Sequence, residues 1–350
     1  MPAIASFDRH VRLTFASGSH ADFHWLWLRH QDPLERHPTT GERTLNPALL
    51  DLDVSPVSVR LEREALVVRW PGADLESRYA LGWLEEHAYA RDRVAPAPGA
   101  SLADLEVPLR GGRLPEDFLA RLDRDGALIG RGGGASPEAT EALIAQVEGA
   151  GLSVIGTHFG RIEDLRTDNT TNQNTDQLGY TDAAIDLHTD QPFLPRPPRY
   201  QLLHAIRAAE SGGESLLADG DRIARALATE DAEAYRVLTS TKLRFHRKQK
   251  AFERVEIRPL LSRREDGSHE VRSSYFTFAP FDFPFDELEG VYRALRRFES
   301  LARSPEFFRR FLLGPGDLVL YDNQRMLHGR AGFRGGRWVR GVYFDREEAR

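Results

Sequence analysis

Three His-x-Asp pairs stand in the chain: His20/Asp22, His30/Asp32 and His188/Asp190. On a β-strand, residues i and i+2 point to one face, so an imidazole and a carboxylate at this spacing can converge on one metal ion. With a distant second histidine they make the facial triad of non-haem Fe(II) oxygenases, which leaves three coordination positions open. The first two pairs read as ordinary surface residues of an aromatic-rich N-terminal segment, with His30-Gln31-Asp32-Pro33 a strand end running into a turn. His188-Thr189-Asp190 has different company. It ends a strand-like run, AAIDLHTD, and enters a proline-rich loop, QPFLPRPP. Far downstream, LVLYDNQRMLHGR carries His328, and Arg337 opens the strand-like RWVRGVYF. A second imidazole and an arginine aimed at one pocket suit a metal-bound dicarboxylate. The metal chelates its keto-acid end, and a guanidinium pairs bidentately with the far carboxylate.

Other chemistries fall away. The 350 residues contain no cysteine, which excludes disulfides, Fe–S clusters, thiolate zinc and a cysteine nucleophile. No G-x-S-x-G elbow is present. Gly130-Arg131-Gly132-Gly133-Gly134 lies between a strand and a helix but lacks the Lys-Ser/Thr of a P-loop, so it reads as a turn. A formal charge of −6 argues against an extended nucleic-acid surface. No uncharged apolar run reaches the ~18 residues of a membrane span. Asp8 and Arg9 interrupt the N-terminus before a signal-peptide core can form, so a cytoplasmic enzyme is expected.

These side chains need elements to hold them. Twenty prolines and 29 glycines, spread along the chain, punctuate many short strand-like runs. The expected fold class is mainly β with flanking helices: a double-stranded β-helix, or jelly roll, preceded by a small β-rich domain. The small domain is placed at 1–93, a Pro/Gly/Ala linker at 94–101 and the catalytic domain at 102–350. ADFHWLWLR is read as a strand with Phe23, Trp25 and Trp27 on one face, and SYFTF as another strand. Ser136-Pro137 reads as an N-cap and first-turn proline opening an amphipathic helix.

HTDQPF, GGES and DNQRMLHGR followed by Arg337 resemble the TauD/TfdA class of Fe(II)/2-oxoglutarate dioxygenases. GTHFG, GYTDAAIDLHTD, PPRYQLLHAI and GGESLLADG match its γ-butyrobetaine hydroxylase branch in order, as do HWLWLRHQDP and VVRWPG near the N-terminus. The resemblance implies that His188, Asp190 and His328 hold Fe(II), and that Arg337 and Ser215 hold 2-oxoglutarate. It implies that O2 and a small-molecule substrate complete the reaction. Arg340 is a rival for the carboxylate, although strand parity favours Arg337. The branch cages a trimethylammonium group with aromatics; the matching positions are Tyr180, Tyr343 and Phe159. It also implies a homodimer. The favoured substrate is γ-butyrobetaine or a similar quaternary-ammonium acid. The alternatives are another small zwitterion, such as trimethyllysine or an aminophosphonate, or a non-catalytic β-sandwich binding module. The branch's N-terminal zinc site uses three cysteines and a histidine. Here Asp32-Pro33-Leu34-Glu35-Arg36-His37 has no thiol, which implies loss of that site.

Overall fold

A computed structural model describes residues 2–16, 20–73, 76–88, 105–157, 160–167, 178–249 and 252–346. The expected linker at 94–101 and Phe159 lie outside these residues. The chain opens with strands β1 (Ala3–Ser6), β2 (His10–Thr14) and β3 (His20–His24), helix α1 (Trp25–His30), strands β4 (Ser58–Leu61), β5 (Ala65–Arg69) and β6 (Ser77–Ala80), and helix α2 (Leu81–Glu86). Next come β7 (Glu106–Pro108), α3 (Phe118–Asp125), β8 (Ala127–Arg131), α4 (Pro137–Gly149), β9 (Leu152–Val154), β10 (Glu163–Arg166), β11 (Ile185–His188) and β12 (Tyr200–Arg207). The remainder comprises β13 (Ser211–Gly212), β14 (Ser215–Asp219), α5 (Gly220–Glu230), α6 (Ala232–Ser240), β15 (Leu243–Lys248), β16 (Glu253–Arg258), β17 (Leu261–Arg263), β18 (His269–Val271), α7 (Phe285–Ala302), β19 (Phe308–Phe311), β20 (Leu318–Asp322), β21 (Met326–Arg330), β22 (Phe333–Arg334) and β23 (Trp338–Arg346).

Two sheets build the jelly roll. The larger runs β10-β23-β12-β20-β8-β7, with β9 also paired to β23; the smaller runs β11-β21-β14-β19. Alternation along β20 explains how both faces of the larger sheet are filled. Val319 and Tyr321 join Leu217 and Met326 of the smaller sheet in one apolar cluster. Leu318 and Leu320 turn the other way, onto Phe118 and Leu122 of α3 and Leu143, Ile144 and Val147 of α4. Ser136 caps α4 as expected, its Oγ accepting from Ala139 N at 3.2 Å, with Pro137 in the first turn. The glycine-rich turn at 130–134 packs on another turn: Gly133 N donates to Gly316 O at 3.1 Å.

The N-terminal strands form two three-stranded sheets, β1-β2-β3 and β4-β5-β6. Their aromatics share one apolar cluster with α5, α6 and α7. Trp27 Nε1 donates to Phe281 O at 2.6 Å, and Tyr292 of α7 bonds His30 Nδ1 at 2.7 Å. The strand expected over ADFHWLWLR is corrected: β3 ends at His24, whose Nδ1 accepts from Leu26 N and caps α1. A solid apolar run carries no period to separate helix from strand, and the cap decides it. Phe23, Trp25 and Trp27 are all buried, on two elements rather than one strand face. SYFTF is likewise a turn, in which Thr277 N donates to Ser274 O at 2.9 Å. None of the helices in the described residues is long and apolar enough to cross a membrane.

Candidate active site

The smaller sheet creates the site through its register. β11 and β21 pair antiparallel with His188 directly opposite His328, so residues 140 apart in sequence become neighbours. Their ring centroids lie 4.2 Å apart. Close strand contact depends on Gly329, where a Cβ would stand 2.7 Å from Ile185 O. Asp190 follows two residues after His188. His188 Nε2 lies 3.4 Å from Asp190 Oδ1, and His328 Nε2 lies 3.6 Å from Asp190 Oδ2. Among the described residues, these three form the group of His, Asp and Glu donors close enough to hold a metal ion.

The protonation states suit ligation. His188 Nδ1 donates to Asp186 O at 2.8 Å, which fixes the proton there and leaves Nε2 with its lone pair. Burial above all pushes His328 down to about 3, so its imidazole is neutral at physiological pH. Burial works against ionisation of Asp190, but the polar groups that face it, the donating Tyr343 hydroxyl among them, outweigh it and hold the carboxyl below its usual range. Tyr343 donates to Asp190 Oδ2 at 2.5 Å. Asp190 is thus a partly buried carboxylate flanked by two imidazoles and a phenol, with no arginine or lysine paired to it among the described residues.

The turn after β20 positions Asp190. Asn323 Oδ1 accepts from Asp190 N at 2.7 Å, while its Nδ2 donates to Asp190 O at 3.1 Å and Pro198 O at 2.9 Å. Gln324 Nε2 donates to Pro197 O at 2.8 Å, and Arg199 Nε donates to Asp322 Oδ2 at 3.0 Å. DNQ therefore clamps the proline-rich loop against the second histidine strand. Asn323→Ala is expected to weaken binding of a divalent metal by ~10–100-fold, the usual cost of losing an outer-shell support. Metal titration followed by calorimetry checks this.

His188, Asp190, His328, Ser215, Arg337 and Tyr343 all line one cavity. Ser215 starts β14 opposite Arg330 of β21. Arg337 lies just before β23; burial pushes its guanidinium down to about 10, and no carboxylate of the described residues pairs with it. Its neighbour Arg330 is committed to the Thr181 carbonyl at 2.8 Å and to that of Ala183. The Phe333 ring lies 4.7 Å from one guanidinium and 5.6 Å from the other. Arg340 points elsewhere, donating to Asp164 Oδ1 at 3.2 Å and Pro137 O at 3.2 Å. Tyr180 is buried in the turn Leu178–Tyr180; Leu178 and Gly179 reach the cavity, and Tyr180 is not among its lining residues.

Phe193, Phe276, Arg247, Glu42, Gln191 and Ser274 also line the cavity and were not singled out from the sequence. Phe276 stands edge-on to His188, with centroids 5.0 Å apart. The other His-x-Asp pairs do different work. Asp22 pairs with Arg12 at 2.7 Å. Asp32 pairs with Arg29 at 2.9 Å and accepts from Ser77 Oγ at 2.6 Å, while His37 Nδ1 accepts from Thr40 N at 3.3 Å.

Residues 91–343 match the family described as taurine catabolism dioxygenase TauD, TfdA family. Gamma-butyrobetaine dioxygenase of Pseudomonas sp. (strain AK-1) is 30% identical over 367 residues, spanning 99% of this chain and 94% of that protein. The human gamma-butyrobetaine dioxygenase is 25% identical over 91% of this chain and 87% of its own. Trimethyllysine dioxygenase of Meyerozyma guilliermondii is 24% identical over 97% and 91%. Among solved structures, the non-heme iron oxygenase OrfP, in complex with Fe and alpha-ketoglutaric acid, shares the fold at a TM-score of 0.50 and 22% identity, over 66% of this chain and 80% of that one. The chain therefore belongs to the TauD/TfdA family and is a dioxygenase.

Proposed function

We propose that the protein is an Fe(II)- and 2-oxoglutarate-dependent hydroxylase of a small zwitterion, γ-butyrobetaine or a similar quaternary-ammonium acid. The observation that carries this reading is the meeting of His188, Asp190 and His328 with the carboxylate-free Arg337 in one cavity. The donor set fits Fe(II). Two neutral imidazoles and one carboxylate suit a divalent transition metal, and the charge of the partly buried Asp190 has no other cation to balance it among the described residues. His188, Asp190 and His328 would hold the metal; Arg337, with the Ser215 hydroxyl, would hold the far carboxylate of 2-oxoglutarate. Bound there, iron and 2-oxoglutarate supply the O2-consuming oxidation that hydroxylates an unactivated C–H and leaves succinate and CO2.

The chain's own part is positional. Asp186 O orients His188, Asn323 orients Asp190, and Tyr343 neutralises part of the Asp190 charge by donating to it. The apolar wall of Leu165, Leu203, Phe193 and Val339 limits water near the reacting C–H. Tyr343, Phe276 and Phe193 offer aromatic surface to a quaternary ammonium. Similarity to the bacterial and human gamma-butyrobetaine dioxygenases supports the same substrate class. The test is a panel of trimethylated amino acids, with succinate release as readout. Turnover of γ-butyrobetaine is expected; turnover of another panel member without it would replace the substrate and leave the reaction class standing.

A further inference from the structure

Away from the metal-binding donors, the cavity wall carries polar atoms that the fold itself does not use. Arg247 lies on the inward face of β15 with Leu243 and Phe245, whereas Arg244 and Lys248 face out. It is 7% exposed; one guanidinium nitrogen pairs with Glu42 Oε1 at 2.7 Å, and Nη2 has no hydrogen-bond partner among the described residues. Among the described residues, the fully buried Ser274 has no partner for its Oγ, and Gln191, 6% exposed, has none for its Nε2. All three residues line the cavity that holds His188, Asp190 and His328.

Backbone contacts join the segments that carry them. His246 N donates to Thr277 O at 2.7 Å, seating β15 on the 274–278 turn. Ser273 N donates to Thr189 Oγ1 at 3.0 Å, joining that turn to the segment that runs through Asp190 to Gln191. Gln191 has φ 56, the left-handed region that non-glycine residues rarely enter, and stands there alone among the non-glycine described residues. Such strain persists where the surroundings over-determine it, commonly at ligand clamps. Buried donors without partners are exceptions in native folds, and these three, with Arg330 Nε on the same cavity wall, point to an acceptor brought in from outside.

We propose that Arg247, Ser274 and Gln191 form the seat for the oxyanion end of the substrate, a carboxylate or a phosphonate. Each can donate to an oxygen through the atom now partnerless. Glu42 holds the other side of the Arg247 fork and ties it to the Leu178 N–H, so the guanidinium is fixed before substrate arrives. The seat is distinct from Arg337, which would serve the cosubstrate. The inference deepens the zwitterion reading above and rests on it for the opposite charge.

The test measures binding anaerobically by calorimetry to the Fe(II)- and 2-oxoglutarate-loaded protein. The ligands are γ-butyrobetaine, its carboxamide (which keeps the ammonium but lacks the carboxylate charge), the phosphonate analogue and a hydrocarbon acid without the ammonium group. Wild type should prefer the acids to the amide. Arg247→Gln should weaken the ligands that carry a carboxylate or phosphonate by ~10–100-fold, as expected for a charge-assisted hydrogen bond, and leave the amide and 2-oxoglutarate nearly unchanged. Ser274→Ala, which strands no side-chain partner among the described residues, should weaken the carboxylate and phosphonate ligands by ~5–10-fold. The tighter of carboxylate and phosphonate in wild type names the natural headgroup. Equal losses for acid and amide, a weakened 2-oxoglutarate instead of substrate, or no acid binding in wild type would overturn the seat. Arg247-dependent binding of the hydrocarbon acid without any binding of γ-butyrobetaine would uphold the seat and retire the quaternary-ammonium substrate.

Discussion

Asp190→Ala is expected to abolish turnover and metal binding together. The substitution removes the one carboxylate of the donor set and leaves two neutral imidazoles that attract a divalent cation far less well. Outer-shell changes cost ~10–100-fold in metal affinity, and loss of a direct ligand should exceed that. Thermal denaturation with and without Fe(II) separates this effect from misfolding. Metal held at 100 times its dissociation constant should stabilise wild type by about 2.7 kcal/mol, and the variant should show none of that increment. The variant also strands the Tyr343 hydroxyl, which costs about 1–3 kcal/mol of stability without metal. A variant that kept its metal-dependent shift would remove Asp190 from the site. His188→Ala should behave alike, because its Nε2 is the nitrogen left open by the bond from Nδ1 to Asp186 O.

Arg337→Gln should act on the cosubstrate rather than on the metal. Burial drives its pKa down because nothing in the described residues compensates the charge. A dicarboxylate would compensate it. Two charge-assisted hydrogen bonds are worth about 3 kcal/mol or more together, so KM for 2-oxoglutarate should rise by ~10²-fold or more while metal affinity stays unchanged. Arg337→Lys should recover only part of the loss, since an ammonium cannot present the planar fork. Arg340→Gln is the control. Its guanidinium is engaged with Asp164 and the Pro137 carbonyl, and KM for 2-oxoglutarate should be unaffected. The reverse pattern would transfer the role to Arg340.

Much of this site was legible because strand geometry is local. His-x-Asp at a strand end keeps two donors within reach of one metal, although β11 ends at His188 and Asn323 holds Asp190 in place, and strand parity puts Arg337, Val339 and Tyr343 on the cavity wall. The cap and proline of α4 were legible for a similar reason, since a helix start is written in adjacent residues. Where local signals were mute, expectation and structure part. WLWL is apolar at every position, and only the His24 cap makes it helical. SYFTF has strand-forming residues, yet folds as a turn that presents Ser274 and Phe276 to the cavity.

The sequence by itself therefore determined the kinds of donor available, the absence of thiols and the alternation that fills two sheet faces. Tertiary structure decided which His-x-Asp matters. Asp22 and Asp32 meet arginines, whereas Asp190 meets His328, because the β11–β21 register sets His188 opposite a histidine 140 residues away. It also decided the pairing of Glu42 with Arg247, drawn from distant parts of the chain into one wall. The physical reason is the same in both cases. Parity and capping act between neighbouring residues, whereas register and cavity walls are set by the packing of whole sheets, which no short stretch of sequence encodes.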